Sequence, residues 1–147
     1  MRTKLVKRHW CDFCNKAMFQ ASAMARHEKH CTMNPNRACR VCGMVADGRD
    51  SDFVPQTVAQ LSALLPKPVT IEDDFGSKRF EHGFEDSVNA AIPALRAASG
   101  DCPACMMAAL RQAKIPVPCA APAFDFTAEM KEIWSNINDA RRVDYAY

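Results

Sequence analysis

The stretch Cys11-Asp-Phe-Cys14, followed after twelve residues by His27-Glu-Lys-His-Cys31, decides how the front of this 147-residue chain is read. Two cysteines spaced by two residues can meet in one tight turn. A histidine and a cysteine four positions apart lie on one face of a helix, one turn from each other. Four such donors suit a tetrahedral ion with soft and borderline ligands, zinc above all. The predicted ligands of this first site are Cys11, Cys14, His27 and Cys31. His30, three residues after His27, competes for the fourth place but fits the spacing less well.

The ligand spacing resembles that of the two-Cys/two-His zinc finger, with cysteine in place of the last histidine. That family sets apolar residues four after the second cysteine and three before the first histidine, and here these are Met18 and Met24. The resemblance covers residues 9–31 and implies a ββα finger. It also implies the base-facing helix positions, which fall on Gln20, Ala23 and Arg26. Gln20 suits adenine and Arg26 suits guanine, whereas Ala23 offers a methyl group at most. Sequence-specific fingers work in tandem, and this chain has one, so specific reading of duplex DNA is not expected. Phosphate contact through Lys7, Arg8, Lys16, Arg26 and Lys29 is the simpler use of such residues.

Outward from the finger, Asn34-Pro-Asn-Arg37 marks a turn, and Cys39-Arg-Val-Cys42-Gly43 is a second knuckle. Its partner is Cys102-Pro-Ala-Cys105, beyond a gap of 59 residues. Cys102 and Cys105 open a predicted helix, whose N-terminus favours thiolate. Knuckle first and helix-start pair last is similar to a treble-clef or zinc-ribbon site with a helical insertion. Cys39, Cys42, Cys102 and Cys105 are therefore the predicted ligands of a second zinc. An iron–sulfur cluster would use the same four residues. A redox C-x-x-C would need a βαβ setting, which the pattern lacks. Two sites take seven of the eight cysteines and leave Cys119 as a free thiol.

Composition agrees with a folded chain: 48% of residues are hydrophobic and 24% charged. Met1 to Trp10 is basic and has no apolar core of the kind an export signal needs. No run of residues is long and apolar enough for a membrane span. Disulfides are accordingly not expected. The net charge of +2 conceals two unlike parts. Residues 1–42 hold nine Lys/Arg against Asp12 and Glu28, a net of +7, and residues 43–147 are net −5. The basic end suggests a polyanionic or acidic partner.

Elsewhere the pattern predicts a short helix from Val54 to Leu65 and a polar loop at Asp47–Ser51. Residues 67–83 read as loop, with a short strand at most around Val69–Ile71. A helix is expected over Glu85–Ser99, kinked or started late by Pro93 and stopped by Gly100. A further helix is expected over Met106–Ala113, then an extended connector over Ile115–Pro122. The longest helix runs from Thr127 to about Val143. Its stripe of Phe126, Met130, Ile133, Trp134, Ile137 and Ala140 reads as core packing, with a partner-docking face as the alternative. Arg141, Arg142, Tyr145 and Tyr147 are candidate anchors beyond it.

The expected architecture is a small, zinc-stabilised, mainly α protein in three parts. Residues 1–35 form the finger, 36–123 the four-Cys region with its helical insertion, and 124–147 a C-terminal amphipathic helix. His9 and His82, the latter beside Glu81, are unused histidines in no catalytic pattern, and both metal sites are closed by four ligands. A non-enzymatic protein with no small-molecule substrate is expected. His27-Glu-x-x-Cys31, Asn34-Pro-Asn-Arg-x-Cys39-x-x-Cys42, Cys102-Pro-x-Cys105 and Phe124-Asp-Phe126 with Trp134 together resemble small tailed-phage zinc-finger proteins of unassigned function. That resemblance implies a bacterial cytoplasm or a phage particle as the location. The expected role is an adaptor inside a larger assembly, meeting a protein partner and, at the basic end, non-specific nucleic acid. The alternative is a nucleic-acid-binding regulator.

Overall fold

Alanine-rich Ala21–His30 carries Met24 inward and places His27, Lys29 and His30 in its last turn, where positive charge suits the helix dipole. This helix, α1, follows a minimal antiparallel hairpin of β1 (His9–Trp10) and β2 (Ala17–Met18), with His9 opposite Met18 and Trp10 opposite Ala17. The turn between the strands closes through Cys11 N–H donating to the Lys16 carbonyl at 2.9 Å. Asn15 takes a left-handed φ of 56° there, a conformation asparagine tolerates. The result is ββα. Its buried interior consists of Cys11, Met24 and Cys31, with Cys14, Met18 and Met33 around them. The computed structural model describes residues 5–44, 56–121 and 123–144. The Asp47–Ser51 loop, Val54, Pro122, Tyr145 and Tyr147 lie outside the described residues, as do the side chains of Arg141 and Arg142.

The larger core forms around α5 (Pro103–Gln112), in which Cys105 to Leu110 are all buried. Proline at its first position costs no hydrogen bond and pre-sets the helical φ. Around it pack α2 (Arg40–Met44), α3 (Val58–Ala63), α4 (Phe84–Ser99) and α6 (Phe126–Asp144). Leu61, Val88, Ile92, Leu95, Met106 and Leu110 supply its interior. Helix α3 starts at a reciprocal cap, Thr57 Oγ1 accepting from Gln60 N–H while Gln60 Oε1 accepts from Thr57 N–H.

Three local expectations need correction. Residues 67–83 contain an antiparallel hairpin, β3 (Thr70–Glu72) with β4 (Lys78–Phe80), rather than loop with a single strand. Asp73 builds its turn by accepting from the N–H groups of Phe75 and Ser77, and Gly76 supplies the positive φ of 77°. Both strands are solvated except at Phe80, which stacks on Phe84 with ring centroids 4.8 Å apart. Pro93 does not delay the start of α4: the helix runs from Phe84 to Ser99, with Pro93 inside it on the exposed side. The Ile115–Pro122 connector contains a 3-10 turn, Val117–Ala120, which Asn89 of α4 ties down by donating to the Cys119 carbonyl.

Helix α6 starts from Asp125, whose carboxylate accepts from the N–H groups of Thr127 and Ala128. Phe126, Met130 and Ile133 pack against the core, while Trp134 is 41% exposed. The docking is fixed by Arg96 of α4, which meets both oxygens of Glu129 and also Asp101. Both members of the Arg96–Glu129 pair are partly solvated, so Glu129→Ala is expected to cost about 1 kcal/mol. Hydrogen exchange should quicken in the first turns of α6 and stay unchanged in α5.

Candidate metal centres

The first cluster gathers Cys11 and Cys14 from the β1–β2 turn, His27 from the last turn of α1, and Cys31 just past its end. Their donor atoms all lie within 4.8 Å of one another. A tetrahedral zinc with bonds of 2.0–2.3 Å requires ligand atoms about 3.3–3.8 Å apart. The Cys14 Sγ to His27 Nε2 separation is 3.1 Å, close to that requirement. The knuckle is pinned to the helix by Asp12 N–H donating to Glu28 Oε1 at 3.1 Å, and Phe13 N–H points at Cys11 Sγ. His30 lies outside this cluster; its Nδ1–H donates to the Ala38 carbonyl at 2.7 Å. Cys31, not His30, completes the set.

That His30 bond belongs to a strap that carries the chain from the first cluster to the second. Ala38 N–H donates back to the Lys29 carbonyl, and Asn34 Nδ2 to the Glu28 carbonyl. From the other side, Gln112 of α5 donates to the carbonyls of Thr32 and Asn34. Cys39 and Cys42 are thereby delivered to the start of α5, where Cys102 is the N-cap and Cys105 lies in the first turn. The four sulfurs again lie within 4.8 Å of one another. Cys39 to Cys102 is 3.7 Å and Cys42 to Cys105 is 3.5 Å, within the span of a tetrahedral tetrathiolate site. Arg37 closes the corner by donating to the Ala104 carbonyl at 2.9 Å.

The thiols contend for protons within each cluster. Burial pushes the Cys14 thiol up, but the His27 hydrogen bond, with those from Lys16, Cys31 and Cys11, outweighs it and brings its pKa down to about 7. Burial raises Cys31 to about 11. In the second cluster, hydrogen bonds from Cys102, Cys105 and Cys42 hold Cys39 as the thiolate. Cys105 is driven up by Cys102 and Cys39. Cys102 is driven up as well: the Cys105 hydrogen bond lowers it, but those of Cys39 and Cys42, with burial, prevail. The lowered thiols Cys14 and Cys39 favour a cation, and the protons held on Cys31, Cys102 and Cys105 leave as it binds. Cys119 belongs to neither cluster. It is buried in the main core, and burial together with Glu85 keeps it as the thiol.

Of the proposed contact residues, Lys7, Arg8, Lys16, Gln20, Arg26 and Lys29 are all exposed. Arg8 lies over the Phe19 ring at 5.2 Å, and Gln20 is the N-cap of α1. Ala23 and Arg26 line an open cavity of about 600 Å³, which Arg37, Arg40 and Arg111 also line. Arg37, Arg40 and Arg111 were not singled out from the sequence, since only the fold brings α5 back against the strap. His82 is exposed beside a separate cavity that Arg79, Glu81 and Glu85 also line. No described helix is long and apolar enough to cross a membrane.

Comparison of the chain with protein-family models, characterised proteins and solved structures gives no match. The reading of the two clusters accordingly stands on their own geometry.

Proposed function

We propose that the chain is a non-enzymatic adaptor folded around two structural zinc ions, which joins a larger assembly through protein contacts and carries a basic finger at one end. The observation that carries this reading is the closure of both clusters. Each offers four converging, sulfur-rich donors, whereas a hydrolytic zinc keeps one place open for water. The four-Cys cluster is read as zinc rather than iron–sulfur by its likeness to the first. Exposed apolar side chains supply contact surface: Trp10 and Phe19 on the finger, Phe75 on the second hairpin, and Trp134 on α6. The motif resemblance to tailed-phage proteins makes a phage particle the assembly in view.

The alternative, a regulator that reads duplex DNA, draws on the exposed Lys7, Lys16 and Lys29. It is disfavoured by the single finger and by Ala23, which offers at most a methyl group at the second base-facing position. Metal analysis should find two zinc ions per chain and no acid-labile sulfide. Selection from random duplexes should return no consensus sequence. Trp134→Asp should leave the fold intact and deplete the protein from assembled particles by about tenfold or more, as expected of an aromatic anchor. A duplex consensus, or a Trp134→Asp protein incorporated like the parent, would replace the adaptor with the regulator.

A further inference from the structure

We infer that the cavity between α1, the strap, α2 and α5 is a binding site for a phosphate group. This goes beyond the adaptor reading and does not depend on it. Four arginines converge there: Arg26 from α1, Arg37 from the strap, Arg40 from α2 and Arg111 from α5. No carboxylate lines the cavity. Among the described residues no salt bridge joins any of these four guanidinium groups to a carboxylate, in contrast to Arg96.

Placing four like charges around one cavity is unfavourable unless an anion joins them. Loaded with divalent metal, the two clusters remain net anionic and offset part of that charge, most directly for Arg37 and Arg40 beside Cys39. Arg26 and Arg111 enter from separate helices. Arg37, half-buried, lines the cavity and spends one terminal nitrogen on the Ala104 carbonyl, which fixes its guanidinium at the corner between the strap and α5.

The donor chemistry selects the anion. Guanidinium groups present planar forks that grip phosphate oxygens two at a time, and several of them can surround a tetrahedral group from different sides. Thr32 adds a hydroxyl to the lining, and His30, its Nδ1 occupied by Ala38, adds a ring edge. The cavity of about 600 Å³, which His27 and Cys31 of the first cluster also line, has room for a phosphate group. The phosphate of a free nucleotide and that of a polynucleotide backbone share this chemistry.

The test is an NMR titration of the zinc-loaded full chain with inorganic phosphate at low ionic strength. Saturable shifts are expected at the amides of Ala23, Arg26, Thr32 and Arg111. The double variant R40Q/R111Q should bind at least about tenfold more weakly, the loss expected for removing charge-assisted bonds. Lys7→Gln with Lys16→Gln, outside the cavity, should bind like the parent. If R40Q/R111Q fails to fold, Arg26→Gln serves instead, since Arg26 is exposed on α1. Repeating the titration with a nucleoside triphosphate and with a short single-stranded oligonucleotide identifies the source. Whichever binds tighter with the same arginine dependence is the physiological class, and either outcome supports the site. Absence of saturable shifts, or binding indifferent to the arginine substitutions, would overturn it. So would loss of bound zinc in the folded variants, which would make the arginines counter-charges for the clusters alone.

Discussion

Removing the metal with a strong chelator is expected to unfold the finger while leaving the α5 core collapsed and largely helical. Among the described residues the finger buries only Cys11, Met24 and Cys31, and two of those three are ligands. So small an interior cannot offset the chain entropy of some two dozen residues. Structural zinc contributes on the order of 10 kcal/mol in finger peptides at neutral pH, so its removal takes away nearly all that holds β1, β2 and α1 together. The second region has Leu61, Val88, Ile92, Leu95, Met106 and Leu110 fully buried and keeps that packing. Hydrogen exchange distinguishes the two: the amide of Met24 should lose its protection altogether, whereas that of Leu110 should be weakened by loss of the second ion and yet remain protected. Protection of Met24 in the chelated protein would refute the structural role of the first ion.

Acid should produce the same result by another route. At neutral pH Cys31, with its pKa raised to about 11, holds a proton that the ion must displace, whereas Cys14, at about 7, is already partly ionised. Lowering the pH below 7 adds the Cys14 proton to those displaced. Each such proton weakens binding by up to about 1.4 kcal/mol per pH unit. The finger's zinc affinity should therefore fall as pH falls, and more steeply below pH 7 than above it. A chromophoric competitor for zinc, read across that range, measures the slope.

The finger was legible from its sequence because its constraints are local. Cys11, Cys14, His27 and Cys31 sit within one short segment, and Met18 and Met24 repeat the same geometry in apolar form. The pairing of Cys39 and Cys42 with Cys102 and Cys105 was legible only through ligand arithmetic, since 59 residues intervene. The second hairpin escaped because Thr70–Glu72 and Lys78–Phe80 are short and solvated on both faces, so no alternation of apolar and polar residues betrays them. Its turn carried a readable signal in Asp73 and Gly76, as did the start of α3 in Thr57 and Gln60. Pro93 misled for a physical reason: a proline on the exposed side of a long helix, anchored by Val88, Ile92 and Leu95, forfeits one hydrogen bond without ending it. The arginine cavity has no sequence signature. Arg26, Arg37 and Arg40 are near one another in the chain, but Arg111 joins them only because Gln112 and Arg111 tie α5 to Thr32 and Asn34.

Cys102→Ser is expected to remove one of two bound ions and to cost the second region several kcal/mol while sparing the finger. Serine is nearly the size of cysteine and is itself a good N-cap, so the start of α5 is preserved and the substitution acts through the lost metal bond. Cys102 is 1% exposed, which leaves its replacement no room to be ignored. Once the ion is lost, nothing covalent or coordinate joins Cys39 and Cys42 to α5. A cross-link closing a loop of this length contributes about 4 kcal/mol in the chain-entropy account. In a region of about 90 residues that corresponds to a fall in Tm of roughly 16–32 °C. Metal content should drop from two ions to one, the cobalt–thiolate spectrum of the finger should persist, and proteases should cut between the two knuckles. Cys119→Ser is the matched control. It places a hydroxyl in the same core at a position outside both clusters, so it should destabilise by about 1–3 kcal/mol with both ions retained. If the Cys102→Ser protein keeps two ions and resists proteolysis like the parent, the four-Cys cluster does not hold the region together, and its stability rests on the hydrophobic packing around α5 alone.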